Sequence, residues 1–404
     1  MNFIDNVDVE KYNNFLKSSE YCNIFQTTEW AEVKSETWNF KRVALVDNGN
    51  ICATAQILVR NGLWYIARGP ILDYSNELLL RQFLEELKKY AHSKGAKLVK
   101  IDIPEIAKRA TLISFKEEDY NLKKDDILNI FASQGFTHQG FTLNMSDTIQ
   151  PRFEVVTQLE DNIVDKFPKD TRRLIRDADK KFVKVKQIGI DKIDDFLYAI
   201  ECTEKRKGIS LRNREYFEKL FRLYKDNCLV FVSYINIDEA IINCKKNISN
   251  LDNEIIMLKE KSPKKKRQLE EQKVSVNKLL DLFTELYDEG LTGERIISSS
   301  FTLVYGSSAE MIYAGMDARL SKLPAQYKVY AETMQKAYSL GVKNFSTGGI
   351  EGSLNDNLLL FKSKFNPDIV EHYGEFDYSI SKLYKFMYDY GLPLRRKFLK
   401  LLKK

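Results

Sequence analysis

The sequence predicts a mixed α/β fold built from two copies of one strand–helix–strand unit, the second copy carrying an inserted helical hairpin. Three observations carry this reading. Gly69 and Gly95 recur as Gly315 and Gly341 at one offset, 246 positions, with strand, glycine, helix, glycine and strand in the same order around them. Each copy follows two further strand patterns. In the first copy a tight turn joins those two strands, whereas in the second a long helical pattern separates them.

The elements follow in order. Two strand patterns, 42–46 and 51–59, flank the hairpin turn Asp47-Asn48-Gly49-Asn50. The aromatic strand Leu63-Trp64-Tyr65-Ile66-Ala67 runs into Arg68-Gly69-Pro70. A helix over about 76–94 has Leu79, Phe83, Leu84, Leu87 and Ala91 on one face. Gly95 suits its C-terminus, where a left-handed residue is favoured, and a strand over 97–102 follows. In the second copy the paired strands are 229–235 and 295–305. Met311-Ile312-Tyr313-Ala314 then leads to Gly315, a helix over about 324–340, Gly341 and a strand over 342–346.

Between the second pair of strands, Ile241, Cys244, Ile248, Leu251, Ile255 and Leu258 fall three and four apart. Leu269, Gln272, Val276, Leu279, Phe283 and Leu286 do the same beyond Ser262-Pro263. This spacing predicts an antiparallel coiled-coil arm over 239–289 with its tip at the proline. Mixed repeats of this size suggest two acetyltransferase-like (GNAT-type) domains. The expected division is 1–150 and 151–373, with 374–404 returning to complete the first domain.

Composition narrows the classes. Of 404 residues 44% are apolar, enough for well-buried cores. No run approaches the roughly 18 consecutive apolar residues of a membrane helix, and the N-terminus lacks the pattern of a secretory signal. Cys22, Cys52, Cys202, Cys228 and Cys244 include no CxxC pair or metal-ligand spacing, so free thiols in a reducing cytoplasm are expected. The net charge of +6 is mild, but it concentrates at 259–273 and in the tail 395–404.

Common catalytic signatures are absent: no G-x-S-x-G, HExxH or GxxxxGK[ST] occurs. Of the three histidines, His92 falls late in a predicted helix and His138 in a turn-like stretch, where structural roles are the default; His372 completes the set. Neither repeat helix opens with the glycine loop that seats the pyrophosphate of an acyl-CoA on backbone N–H groups. Leu72-Asp73-Tyr74-Ser75 precedes one and Arg319-Leu320-Ser321-Lys322 the other. The fold is therefore expected to work without ordinary acyl-CoA recognition.

Pieces spanning nearly the whole chain carry a family resemblance. They include Gln26-Thr27-Thr28-Glu29-Trp30-Ala31-Glu32-Val33-Lys34, Arg68-Gly69-Pro70, Lys100-Ile101-Asp102-Ile103-Pro104-Glu105 and Ser210-Leu211-Arg212. Tyr313-Ala314-Gly315, Thr347-Gly348-Gly349-Ile350, Leu360-Phe361-Lys362 and Gly374-Glu375-Phe376-Asp377-Tyr378 continue the series. In order and spacing the chain resembles the Fem family of aminoacyl transferases, which build the interpeptide bridges of bacterial peptidoglycan. It departs where the family often has proline directly after the aspartate, here Asp102-Ile103-Pro104.

The resemblance implies transfer of an amino acid from aminoacyl-tRNA to a side-chain amine on the stem peptide of a lipid-linked peptidoglycan precursor. The ester is already activated, so positioning and oxyanion stabilisation suffice, with no cofactor and no metal. By the same resemblance Lys362 stabilises the tetrahedral intermediate, and Lys34 and Arg212 hold the precursor's phosphates. Tyr216 and Tyr313 line that cleft, Phe361 packs beside Lys362, and Asp102 contacts substrate or orients the amine. For each there is a plainer role: surface lysine, salt-bridge partner, core aromatic or helix cap.

Lys261, Lys264, Lys265, Lys266 and Arg267 at the arm's tip are the expected tRNA contacts. The basic, partly apolar tail from Pro393 is the expected peripheral contact with the inner face of the cytoplasmic membrane, and no DNA is expected. Two other readings use the same residues: a transferase of this fold acting on a protein or small-molecule acceptor, from aminoacyl-tRNA or acyl-CoA, and a non-enzymatic RNA-binding scaffold.

Overall fold

The structure is a computed structural model that describes residues 1–117, 123–258 and 262–391. The chain begins with β1 (Asn2–Ile4), α1 (Val9–Ser18) and α2 (Thr28–Lys34), then β2 (Asn39–Asp47), β3 (Asn50–Arg60) and β4 (Leu63–Ala67). Helix α3 (Glu77–Ser93) leads to β5 (Leu98–Asp102), followed by β6 (Ile106–Thr111), α4 (Leu112–Glu117), α5 (Lys123–Ser133) and β7 (Thr137–His138). Next come β8 (Phe153–Gln158), α6 (Ile163–Lys166), α7 (Lys169–Lys180), β9 (Lys184–Gln187), α8 (Ile193–Lys207) and α9 (Arg214–Tyr224). β10 (Cys228–Asn236), α10 (Ile237–Met257), α11 (Pro263–Asp288), β11 (Glu294–Tyr305) and β12 (Ser308–Met316) follow. The chain closes with α12 (Ala325–Ser339), β13 (Asn344–Ile350), α13 (Asn357–Lys362), β14 (Asp368–His372), β15 (Glu375–Ser379) and α14 (Lys382–Phe386).

Among the described residues the strands form two sheets. The first has seven strands in the order β1-β2-β3-β4-β5-β15-β7, and the second has eight in the order β6-β14-β8-β13-β12-β11-β10-β9. The repeat is visible in both. An antiparallel pair (β2/β3, β10/β11) is followed by a third strand, a helix and a parallel fourth strand (β4/β5, β12/β13). Gly95 and Gly341, just past the two helices, have φ of +74° and +88°, the left-handed geometry that ends a helix at low cost in glycine.

The halves interleave more than a division at residue 150 implies. Strand β6 precedes that point yet pairs with β14 in the second sheet, while β15 returns from the C-terminal side to lie between β5 and β7 in the first. A second difference sets up the site. Strands β4 and β5 pair along five residues, Leu63–Ala67 with Leu98–Asp102. Strands β12 and β13 pair only at Ser308, Ala309 and Glu310 with Asn344, Phe345 and Ser346, and part beyond.

Helices α10 and α11 run antiparallel, with Lys273 ion-paired to Asp252. Their base is anchored by Ala240, Cys244, Phe283 and Leu286, which share a buried cluster with Leu320 and Leu323. Of the predicted seam, Gln272 is exposed, as its amide favours, and the other residues are buried or half-buried. Lys261 and the tail from Pro393 lie outside the described residues.

Two cores position the site. One packs α3 and α5 on the first sheet, through Phe83, Leu84, Leu87 and Phe131. The other joins the halves: Tyr12, Leu16, Ile24, Trp30 and Val33 from the N-terminal segment pack with Phe196, Phe217, Phe301 and Leu303. The fully buried Gln26 side chain braces this join, donating to the Ala67 carbonyl at 2.7 Å and accepting from the Gln56 N–H at 2.7 Å. Helix α8 lies so close to β12 that a Cβ on Gly315 would stand 2.5 Å from the Ala199 carbonyl oxygen.

Candidate active site

The site begins with a defect in strand pairing. Tyr313 pairs with Phe301 and Met311 with Thr302, leaving Ile312 as an extra residue in β12. A regular strand would point Glu310 and Tyr313 to opposite faces. The bulge shifts the alternation by one, so both share the face that carries Phe301; Tyr313 lies opposite Phe301 and Glu310 opposite Leu303, hence about 7 Å apart along the strand. Just where β12 and β13 part, a cavity of about 470 Å³ lies over the sheet, closed by the 20–25 and 104–106 segments. Arg68, Glu154, Glu310, Ser346 and His372 line it.

Arg68 organises the floor. It ends β4 with a left-handed φ of +46° and is 4% exposed. One guanidinium nitrogen donates to Asp102 at 2.8 Å; the other donates to Glu154 and, at 2.6 Å, to the Pro151 carbonyl. His372 lies 3.8 Å from Glu154, and burial lowers its pKa, favouring the neutral imidazole. Burial works against the Glu154 anion, but Arg68 and His372 prevail and hold its carboxyl well below the usual range. Burial pushes Asp102 up to about 7 against the pull of Arg68.

Lys362 ends α13, capped at its start by the Asp356 side chain accepting from the Leu359 N–H. The lysine is 6% exposed and donates to the Gly349 carbonyl at 2.8 Å. Burial pushes its pKa down to about 8, although Glu310, Glu154 and Asp356 all act to raise it. The irregular stretch of β13 between Ser346 and Gly349 makes room: a Cβ on Gly348 would come within 3.7 Å of the lysine nitrogen and 3.9 Å of a Glu310 carboxylate oxygen. Thus Lys362 and Glu310 converge on one small space at the mouth of the parted strands.

A second cluster adjoins along β12. The Lys34 ammonium sits 4.4 Å from the Trp30 ring centre and 5.6 Å from that of Tyr216. The Arg212 guanidinium lies 5.3 Å from the Tyr216 ring, and the Tyr216 and Tyr313 rings meet edge to face at 6.3 Å. Burial, then the charge of Arg212, pushes Lys34 down to about 8. Among the described residues no carboxylate lies within ion-pair distance of Lys34 or Arg212. Two cations facing each other without a counter-ion form a ready seat for an anion.

The structure therefore brings Lys34, Arg212, Tyr216 and Tyr313 together and places Lys362, from α13, near Glu310 farther along β12. Phe361 packs into the core against Tyr327, Tyr330 and Phe365, at 5.1–5.5 Å between ring centres. Asp102 is 1% exposed behind Arg68 and does not line the cavity. Lys264, Lys265, Lys266 and Arg267 are exposed at the start of α11. Sequence reasoning passed over Arg68, Glu154, Glu310 and His372. Arg68 stood in a quoted motif, and Glu310 directly precedes the repeat strand beginning at Met311; neither has a spacing that marks it.

Comparison with known proteins shows the family. The model of the FemAB family matches residues 7–389. The lipid II:glycine glycyltransferase of Staphylococcus haemolyticus is 26% identical over 403 residues, covering 93% of each protein. That of Staphylococcus saprophyticus is 26% identical over 430 residues, covering 99% of this chain and 98% of the relative. The crystal structure of FemX superposes with a TM-score of 0.76 at 24% identity, covering 96% of this chain and all of FemX, a likeness of fold. The chain is an aminoacyltransferase and belongs to the FemAB family.

Proposed function

We propose that this enzyme transfers an amino acid from aminoacyl-tRNA to the side-chain amine of the stem peptide on a lipid-linked peptidoglycan precursor, building the interpeptide bridge. The observation that carries the reading is the uncompensated Lys34–Arg212 seat around Tyr216 and Tyr313, on the face of β12 that also bears Glu310 near Lys362. The seat suits the diphosphate of the precursor. Lys362, at the parted strands, suits the oxyanion that forms when the amine adds to the ester. The names of the staphylococcal relatives supply the acceptor class, and glycyl-tRNA is the first donor to test. The test presents purified enzyme with individually charged tRNAs and lipid-linked precursor and weighs the product. A product lacking the added residue with every donor contradicts the proposal.

Arg212→Ala is expected to raise KM for the precursor tenfold or more, since a charge-assisted hydrogen bond contributes about 1.5–3 kcal/mol. Turnover at saturation should change little. A defect in turnover alone contradicts a phosphate role. The arm supplies a place for tRNA. Charge reversal at Lys264, Lys265, Lys266 and Arg267 should weaken tRNA binding and flatten its dependence on salt, and precursor binding should stay the same. An unaltered salt slope makes the arm a spacer.

A lipid-linked acceptor requires the enzyme to meet the inner membrane face. No described helix is long and apolar enough to cross a membrane. Leu383, Phe386, Met387 and Tyr390, spaced three and four apart, are 58–71% exposed. The sequence then supplies Arg395, Arg396, Lys397, Lys400, Lys403 and Lys404. Apolar insertion and basic charge together favour an anionic bilayer. Leu383→Ser with Phe386→Ser should reduce binding to phosphatidylglycerol vesicles and leave Tm unchanged, whereas equal vesicle binding contradicts this contact.

A further inference from the structure

We propose that Glu310 is a catalytic residue, the base that takes a proton from the attacking amine at the cavity mouth. The inference rests on the transfer reaction proposed above and names the group that completes it.

An amine of lysine type arrives as an ammonium at neutral pH, and only its neutral form attacks. A carboxylate must therefore reach the cavity without being consumed by another partner. Asp102 is sequestered behind Arg68. Glu154 is bound by Arg68 and faces His372. Glu105 accepts a hydrogen bond from the Tyr21 hydroxyl. Glu310 lines the cavity and forms no ion pair among the described residues. The bulge at Ile312 turns it to the face of Tyr313, and the end of β12/β13 pairing opens the sheet directly beside it.

The charged and polar groups facing Glu310 come from four directions: Glu154 on β8, Ser346 on β13, Lys362 on α13 and Arg68 after β4. Burial and the neighbouring Glu154 anion push the Glu310 carboxyl up to about 8, against Ser346, Arg68 and Lys362. Of the two carboxylates at this site, Glu154 is pinned as the anion by Arg68 and Glu310 carries the mobile proton. A base poised near the working pH is effective in proton transfer.

The step balances. The ammonium gives one proton to the Glu310 carboxylate. The freed nitrogen lone pair attacks the ester carbon, and the carbonyl electrons move onto the oxygen, where Lys362 donates. The tetrahedral intermediate expels the ribose oxygen as the C–O bond breaks, and that oxygen takes the second proton released by nitrogen. Products are the amide, the free 3′ end of the tRNA and one proton, which passes from Glu310 to solvent.

The test uses the full chain, aminoacyl-tRNA and precursor, with single-turnover rates measured between pH 6 and 9.5. In the wild type the rate should rise with pH and level off near the ionisation of Glu310. Glu310→Gln should lose about 10²–10⁴-fold in rate at pH 7.5 and show no such plateau, while Glu310→Asp regains part of both. An acceptor analogue whose amine is already neutral at pH 7 should recover much of the Glu310→Gln rate. Retention of the wild-type rate and profile in Glu310→Gln overturns the inference and leaves the transferase reading standing. So does a rate loss accompanied by an unshifted profile and a lowered Tm, which marks a structural role. Absence of product from the wild type itself overturns the transferase reading instead.

Discussion

Lys362→Ala is expected to lower turnover about a hundredfold or more, the loss of roughly 3–4 kcal/mol that follows removal of one oxyanion donor, with little change in precursor affinity. The expectation follows from position. Lys362 is almost fully buried, its one side-chain hydrogen bond among the described residues goes to the Gly349 carbonyl, and it sits where β12 and β13 have parted. Burial has already lowered its pKa to about 8. The group is thus destabilised as a cation at rest and gains most when negative charge develops nearby. Differential stabilisation of that kind acts on the transition state more than on bound substrate. Stopped-flow or quench measurements of the transfer step, with precursor binding measured separately, check it. Normal turnover in the variant contradicts the assignment.

Arg68→Ala should produce the largest loss of stability. The guanidinium serves two buried carboxylates at once, Asp102 and Glu154. Removing one partner of a buried ion pair costs about 3–5 kcal/mol, because the charge left behind is uncompensated. The dependence on pH has a definite sign. Without Arg68 the folded-state pKa of Asp102, already raised to about 7, rises further, and that of Glu154 loses the depression Arg68 gives it. For Asp102 the added penalty appears only above pH ~7, where the carboxyl ionises in the wild type; for Glu154 the lost stabilisation persists across neutral pH and disappears only in the acid range, where both states are protonated. The deficit should therefore be greatest near pH 8 and shrink, without vanishing, toward pH 5. Denaturant melts of wild type and variant across that range test it, and a deficit that does not vary with pH contradicts the pairing.

Much of the fold was legible because periodicity and glycine placement are local signals. Gly95 and Gly341 announced helix ends, Asn48-Gly49 announced the hairpin, and the three-four spacing of 241–286 announced two helices. The placement of β6 was not legible. That strand has no local mark of which sheet it joins; partner choice is settled by long-range pairing with β14. The site divided along the same line. Lys34, Arg212, Tyr216 and Tyr313 came from motif resemblance, and the structure brings them within ring-contact distance of one another. Glu310 could not be found that way, because its orientation depends on an extra residue at Ile312 that appears only when the strand's partner is known. Asp102 stood out as a strand-end aspartate, but only the fold reveals that Arg68 covers it.

Transfer from tRNA to a peptidoglycan stem is read by incubating the purified full chain with lipid-linked precursor and one charged tRNA at a time and weighing the precursor. The expected product carries one added amino-acid residue on the stem's side-chain amine, dependent on a charged tRNA and abolished by ribonuclease treatment of that tRNA beforehand. A modified product formed from an acyl-CoA without tRNA, or an unmodified precursor with every charged tRNA, contradicts it.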